Sequence, residues 1–250
     1  MKKRYCFLLL SCVVIVVCAF RECTYTNEGR TKITGTVGEG NLENAYLIPY
    51  SGPNYRYFSP LSYYLLDRGY THHAVYQTLL DAYKTCETTC PGTQFRIMEA
   101  SRKGGGRMLP HRTHQNGMSV DFMTPLRNVE EGGAAGASES GEEQSDQHRW
   151  LDRTGVWHYL LDFDEDGNWS EGIKIDFPVM GRHLLALDDA ARANGLRIQK
   201  VILKINLKDE LFATPEGKAL KKRGVYFARK LPKLVDDLHD DHYHVDFQPL

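Results

Sequence analysis

One short polar stretch, HRTHQNGMSVD from His111 to Asp121, limits what this chain can fold into more than any other. Its histidines and its aspartate suit neither a hydrophobic core nor an ordinary loop. His114 and Asp121 offer a nitrogen and an oxygen of the kind that zinc binds, and Gly117 allows the turn that brings them together. The apolar residues that alternate after Gly117 predict a strand that carries Asp121 on its other face. This stretch therefore predicts half of a metal site.

The other half of the site is predicted in HDDHYHVDF, from His239 to Phe247. His242 and His244 are two residues apart, which in a strand means the same face. Together with His114 and Asp121, one of these histidines completes the three protein ligands of a catalytic zinc with an open fourth position. Any one of these residues alone is more often solvated or hydrogen-bonded than metal-bound, so the combination carries the prediction.

These two stretches also resemble a known family. H-x6-D with a C-terminal H-x-H is similar to the signature of the zinc peptidases grouped as lysostaphin, D-alanyl-D-alanine peptidases and the hedgehog fold. Within that group, HRTHQNGMSVDF resembles the block H-x-S-H-Q-x-G-x-D-V-D of the penicillin-insensitive murein endopeptidases, and LHDDHYHVDF resembles their closing H-x-x-H-x-H-V block. The resemblance covers most of residues 90–250, and Thr113 stands where the family usually has a serine.

The resemblance implies a ligand set for Zn²⁺. In the family the second histidine of H-x-H is the ligand, which implies His114, Asp121 and His244 as the three metal ligands. The first histidine stays beside the metal, which gives His242 the role of transition-state stabiliser or proton shuttle.

Further roles follow from the same resemblance. His239 stands where the dipeptidase and carboxypeptidase branch has a glutamate, and a histidine there matches the general base of the endopeptidase branch. His111 matches a histidine associated with a second metal, so we expect it either behind the ligands or at a weak second metal site. Asp240 or Asp241 is a candidate acceptor that orients one of the histidine rings.

The expected function is an exported zinc-dependent peptidoglycan (murein) endopeptidase, a hydrolase of amide bonds in cross-link peptides involving D-amino acids. A D-alanyl-D-alanine carboxypeptidase and a non-catalytic, zinc-stabilised module that binds the cell wall or a protein are the alternatives. His239 and His242 favour an enzyme, because a module that only binds needs neither a base nor a shuttle. A formal net charge of −1 without a basic, aromatic-rich stripe argues against a nucleic-acid partner. The sequence gives no indication of the oligomeric state.

The N-terminus has the features of an export signal. Three basic residues precede an apolar run over residues 5–20, and Ala19 suits a signal peptidase. Residues 1–19 are therefore expected to be a signal peptide or, alternatively, a membrane anchor, which predicts a periplasmic or otherwise extracytoplasmic protein. The polar, Gly-rich residues 20–40 are expected to form a linker, and residues 41–250 the metallopeptidase domain.

Two cysteines outside the apolar run stand close in sequence. Cys86 and Cys90 favour a disulfide in an oxidising compartment, and two buried thiols are the alternative.

The remaining patterns predict an α+β domain with a mainly antiparallel central sheet that carries the ligands, flanked by helices. A helix follows Thr71 as its N-cap, and a strand covers 95–100. A Gly- and Glu-rich flexible insertion is expected near 126–148. A helix then ends at Gly195, and the strand after it is apolar enough to be central. The resemblance makes this fold hedgehog/D-Ala-D-Ala peptidase-like.

Overall fold

The computed structural model describes residues 24–129, 161–169 and 172–250. The predicted signal peptide or anchor at 1–19 and most of the predicted insertion lie outside these residues. Within the described ranges, no helix combines the length and the apolar character that spanning a membrane requires.

The described residues form strands and helices that alternate irregularly along the chain. In chain order the strands are β1 (Lys32–Thr36), β2 (Glu39–Glu43), β3 (Tyr46–Leu47), β4 (Tyr55–Tyr57), β5 (Tyr70–Thr71), β6 (Phe95–Glu99), β7 (Ser119–Met123), β8 (Leu126–Asn128), β9 (Asn168–Trp169), β10 (Ile173–Ile175), β11 (Leu196–Ile202) and β12 (His242–Pro249). The helices are α1 (His73–Thr89), α2 (Phe177–Ala193), α3 (Lys208–Ala213), α4 (Pro215–Lys222) and α5 (Lys233–Asp237), and a π-helical turn spans Leu61–Leu65.

A five-stranded mixed sheet with the order β11-β12-β7-β6-β4 forms the centre of the structure. The pairs β11-β12, β12-β7 and β7-β6 are antiparallel, whereas β6 and β4 are parallel. Helices α1 and α2 pack against each other, and α2 also packs against β11. The larger hydrophobic cluster takes buried side chains from Leu42 to Phe247, so the described residues share a core. The predicted α+β class with a largely antiparallel sheet is confirmed.

The N-cap of helix α1 lies one residue later than predicted. The ring of His72 accepts a hydrogen bond from the backbone N–H of Ala74 at 3.2 Å, which makes His72 the N-cap. Thr71 instead lies in β5, and its hydroxyl donates to the carbonyl oxygen of Gly117 at 2.7 Å. The prediction of Thr71 as the cap was wrong because this long-range contact uses its hydroxyl.

Strand β11 occupies the end of the five-stranded sheet, so the prediction of a central strand was wrong. Its outer side is nevertheless covered by an irregular segment. The N–H of Val201 donates to the carbonyl of Tyr226 at 2.8 Å, and the N–H of Ala228 donates to the carbonyl of Val201 at 2.9 Å. This cover explains why the strand is as apolar as a central one.

Part of the predicted linker is a β-hairpin. Strands β1 and β2 pair in antiparallel register from Lys32↔Glu43 to Thr36↔Glu39. Gly35 has a φ of +68°, and a Cβ there would lie 1.9 Å from the carbonyl oxygen of Glu39. The glycine that suggested a flexible linker is thus required by the hairpin.

The first residues of the predicted insertion belong to a strand. Leu126–Asn128 form β8, which pairs with β10 in antiparallel register. A short strand whose partner lies more than forty residues away leaves little trace in local composition.

The two described cysteines are free thiols. Cys86 and Cys90 are both buried in the main hydrophobic cluster at the end of α1, where the N–H of Cys90 donates to the carbonyl of Cys86 at 2.9 Å. Of the two arrangements that the sequence allowed, the structure therefore has the buried thiols instead of the disulfide. Both side chains pack as small apolar groups.

Candidate metal centre

One face of the central sheet carries most of the polar residues singled out above. His242, His244 and Asp246 alternate along β12, so their side chains lie on the same face. In the strand register, His244 is opposite Asp121 of β7, and Asp121 is opposite Glu99 of β6. Three neighbouring strands therefore bring a histidine and two carboxylates into one row.

His114 reaches this row from the loop before β7. Its φ is +66°, a left-handed conformation that is uncommon for a residue with a side chain. Gly117 follows with a φ of +77°, and a Cβ there would lie 2.7 Å from the backbone nitrogen of His72. The loop therefore needs glycine at this position, as the sequence predicted.

The three predicted ligands converge. Nε2 of His114 lies 3.1 Å from Oδ2 of Asp121, and Nδ1 of His244 lies 2.6 Å from Oδ1 of the same carboxylate. The two ring nitrogens are 3.2 Å apart. His114, Asp121 and His244 are 0%, 1% and 2% exposed, so water competes little for their donor atoms. Among the described residues, Nε2 of His114 at 3.1 Å is the nearest nitrogen to Oδ2 of Asp121 and is poorly aligned for a hydrogen bond, so this buried oxygen is available to a cation.

His111 lies beside these residues. Donor atoms of His111, His114 and Asp121 all lie within 4.8 Å of one another. Nδ1 of His111 is 3.5 Å from Oδ2 of Asp121, and its Nε2 is 2.5 Å from Oε2 of Glu99. This group of two histidines and an aspartate could bind a metal ion.

The protonation of two of these groups suits a cation. Burial would raise the pKa of Asp121, but His114 and His244 lower it well below its usual value. Burial lowers the pKa of His114 despite the opposing effect of Asp121. An ionised carboxylate and a neutral imidazole are the forms that bind metals.

Glu99 is a member of the site that the sequence analysis missed. Its Oε1 accepts hydrogen bonds from the hydroxyl of Ser62 at 3.0 Å and from Nη1 of Arg68 at 2.6 Å. Burial would raise the pKa of Glu99, but His111 and Arg68 lower it below its usual value. Only the pairing of β6 with β7 reveals this residue, and a strand's register is not visible in its local sequence.

His242 is held by its sequence neighbour. Its Nδ1 lies 2.5 Å from Oδ1 of Asp241, one of the two carboxylates predicted to orient a ring. The other, Asp240, lies 3.7 Å from Nζ of Lys204 instead. Burial would lower the pKa of His242, but the carboxylate of Asp241 raises it above its usual value.

The pKa of His239 is shifted in the opposite direction to that of His242. Its Nδ1 lies 2.5 Å from the carbonyl oxygen of Val235 in α5. Because a carbonyl can only accept, Nδ1 carries the proton and Nε2 keeps its lone pair. Burial, followed by the charge of His242, lowers the pKa of His239 to about 3. Its ring centroid is 4.7 Å from that of His242 and 6.4 Å from that of His244.

Asp246 is the second residue that the sequence analysis missed. Its Oδ1 lies 2.6 Å from Nε2 of His244 and also accepts the hydroxyl of Ser119 at 2.6 Å. Burial would lower the pKa of His244, but the carboxylates of Asp246 and Asp121 raise it to about 10. The signal was available in HYHVDF, because a residue two positions after His244 shares its face.

No protein-family model matches this chain, and no curated protein matches it in sequence. The class is therefore defined by fold and geometry alone. It is an α+β structure whose mixed sheet carries, on one face, a buried histidine–aspartate group able to bind a metal ion.

Proposed function

We propose that this protein is an exported zinc-dependent peptidoglycan endopeptidase that hydrolyses amide bonds of cross-link peptides involving D-amino acids. The observation that carries the proposal is the convergence of Nε2 of His114, the carboxylate of Asp121 and Nδ1 of His244 within 3.2 Å. The substrate class comes from the resemblance of the two histidine-rich stretches to murein endopeptidases, and export comes from the N-terminal pattern.

The donor set fits zinc. Two imidazole nitrogens and one carboxylate oxygen are among the ligands that Zn²⁺ accepts, and three protein ligands leave one position for substrate or water. A bound zinc would supply a Lewis acid and a water of lowered pKa. His111, whose donor atoms lie within 4.8 Å of those of His114 and Asp121, would support these ligands or hold a second, weaker metal ion.

The chain's own residues would divide the proton transfers between them. His239 has its Nδ1–H fixed on the carbonyl of Val235, so its Nε2 is the unprotonated nitrogen and the proposed proton acceptor. His242 has its Nδ1–H fixed on Asp241, so a protonated ring directs Nε2–H towards negative charge that develops on a scissile carbonyl. One ring is held as an acceptor and its neighbour as a donor.

The assignment of the α+β structure to a hedgehog/D-Ala-D-Ala peptidase-like fold is part of the same proposal. The resemblance implies a hedgehog/D-Ala-D-Ala peptidase-like fold in which a mainly antiparallel sheet carries the ligands. The pairing of β7 with β12 through Asp121↔His244 supports that assignment.

The test is mass spectrometry of cross-linked muropeptides incubated with the purified protein, with chelator and with zinc added back. Reversible, metal-dependent conversion of dimers to monomers is the expected result. Loss of a terminal D-alanine from intact dimers would instead identify a carboxypeptidase. His73→Ala is the matched control, because this histidine contacts Thr31 and Tyr46 outside the candidate site and should leave cleavage unchanged.

The deep burial of the ligands favours a second candidate, a zinc-stabilised module that binds the cell wall or a protein partner. Closed zinc sites serve folding instead of catalysis. Stoichiometric zinc in a protein that leaves all muropeptides intact, yet unfolds on chelation, would select this module over the peptidase.

A further inference from the structure

A second row of polar residues lies next to the candidate ligands on the same face of the sheet. In the strand register, Asp246 of β12 is opposite Lys200 of β11 on one side and opposite Ser119 of β7 on the other. Two residues along β12, His244 is opposite Asp121 in the same way. The row of Lys200, Asp246 and Ser119, named here the supporting row, therefore lies directly behind the row that holds two of the candidate ligands.

Asp246 makes contacts in three directions. Its Oδ1 accepts from Nε2 of His244 and from the hydroxyl of Ser119, each at 2.6 Å. Its Oδ2 lies 2.9 Å from Nζ of Lys200. The side chain of Asp246 is completely buried, whereas that of Lys200 is 31% exposed. A buried carboxylate with these partners has little freedom to rotate.

The contact with His244 determines which ring nitrogen faces the ligands. An ionised carboxylate can only accept, so Nε2 of His244 carries a proton towards Asp246. Nδ1 is then the nitrogen that faces Asp121 and His114, at 2.6 Å and 3.2 Å. Without Asp246, Nε2–H would be a buried donor without an acceptor, and ring rotation or the other tautomer would relieve that cost.

We propose that Asp246 is a positioning residue of the metal centre, which fixes the ring of His244 through Nε2 so that Nδ1 is presented as the metal ligand. Ser119 and Lys200 hold Asp246 in turn. The proposal rests on the metal site of the proposed function, but it is independent of the proposed substrate.

Zinc affinity is the direct readout of this role. The dissociation constant for Zn²⁺ is measured by competition with a chelator at fixed pH in the wild-type protein and in Asp246→Ala and Asp246→Asn. Loss of a partner behind a metal ligand is expected to weaken binding about 10- to 100-fold in Asp246→Ala. Asp246→Asn keeps an acceptor oxygen and should retain more of the affinity. Asp240→Asn is the matched control, since Asp240 lies towards Lys204 and should leave affinity unchanged.

A second readout separates positioning from a general structural role. Nitrogen NMR of the histidine rings in the zinc-loaded protein should show His244 protonated at Nε2 in the wild type, and mixed or reversed in Asp246→Ala. If Asp246→Ala does not fold, as judged by circular dichroism, Ser119→Ala replaces it with a smaller loss of affinity in the same direction. Wild-type affinity and an unchanged Nε2–H signal in a folded Asp246 variant would overturn the proposal.

These outcomes are distinguishable from failure of the proposed function. A wild-type protein that binds zinc and depends on Asp246, yet cleaves no muropeptide, removes the peptidase and keeps the positioning role. A wild-type protein that binds no zinc removes both.

Discussion

Two buried histidines on opposite sides of β12 differ in their ionisation. His183 of α2 meets the core face of the strand, where its Nδ1 lies 2.6 Å from the hydroxyl of Tyr243, and burial lowers its pKa to about 3. The side chain of His244, a residue of β12 itself, lies on the other face of the strand. There burial acts in the same sense, but Asp246 and Asp121 raise its pKa to about 10.

The comparison shows that burial alone does not make a histidine functional. His183 is surrounded by the aromatic rings of Tyr83, Phe95 and Phe122 and serves packing. His244 differs because strand pairing brings the carboxylate of Asp121 to its Nδ1, and Asp246, two residues further along the same strand, lies at its Nε2. Buried carboxylates that face histidines therefore distinguish the candidate site from the core of this molecule.

The sharpest test of the comparison removes a carboxylate from the metal face. Asp121→Ala should abolish zinc binding and lower the free energy of unfolding of the metal-free protein by about 3–5 kcal/mol, because it breaks a buried charge pair. Urea unfolding in chelator and the metal content of the purified variant measure the two effects. A variant that keeps wild-type stability would mean that His244 is not charged in the metal-free protein.

Removal of the proposed base on the same face should lower activity without changing metal binding. His239→Ala is expected to lower kcat/KM for cross-linked muropeptides by about 10²- to 10⁴-fold. Zinc stoichiometry should remain that of the wild type, because His239 is not among the candidate ligands. Full activity in this variant would remove the assignment of His239 as the base.

A substitution on the core face of β12 should lower stability and leave zinc affinity unchanged. Tyr243→Phe leaves Nδ1 of His183 without its partner, which should cost about 1–3 kcal/mol of unfolding free energy. Zinc affinity should not change, since Tyr243 points away from the ligands. A loss of zinc binding here would show that the two faces of β12 are coupled.

The two histidines should also give the stability of the metal-free protein pH dependences of opposite sign. The folded-state pKa of His244 is raised from 6.5 to about 10, so its contribution to the stability of the metal-free protein is complete below 6.5 and is lost as pH rises towards 10. The folded-state pKa of His183 is lowered from 6.5 to about 3, so its contribution is present above 6.5 and is lost as pH falls towards 3.

Urea unfolding across this pH range, in the wild type and in His244→Gln and His183→Gln, measures both contributions. Each histidine should change the unfolding free energy by at most about 1.4 kcal/mol for each pH unit. His244→Gln should flatten only the alkaline side and His183→Gln only the acidic side. The same slope in both variants would contradict the comparison.

Local periodicity was enough to predict some of the site. The alternation after Gly117 gave the strand of Asp121, and the spacing of His242 and His244 gave their common face. These inferences need only the geometry of one strand.

Residues that depend on strand pairing were not predictable in this way. Glu99 lies in the site only because β6 pairs with β7. Thr71 does not cap α1 because its hydroxyl donates to the carbonyl of Gly117, 46 residues away. The hairpin at residues 32–43 was hidden for a related reason, since its glycines have the composition of a linker. Register and long-range hydrogen bonds are properties of the fold, which a single sequence does not display.

The position of β12 between β7 and β11 has a consequence for the kinetics of folding. The contact of His244 with Asp121 joins residues 123 apart, and that with His114 joins residues 130 apart. Contacts of such sequence separation carry a large loop-closure cost and are slow to form. A partly folded chain can therefore bring together His111, His114 and Asp121 but lacks His244, so completion of the proposed three-ligand set would report that β12 has been inserted into the sheet.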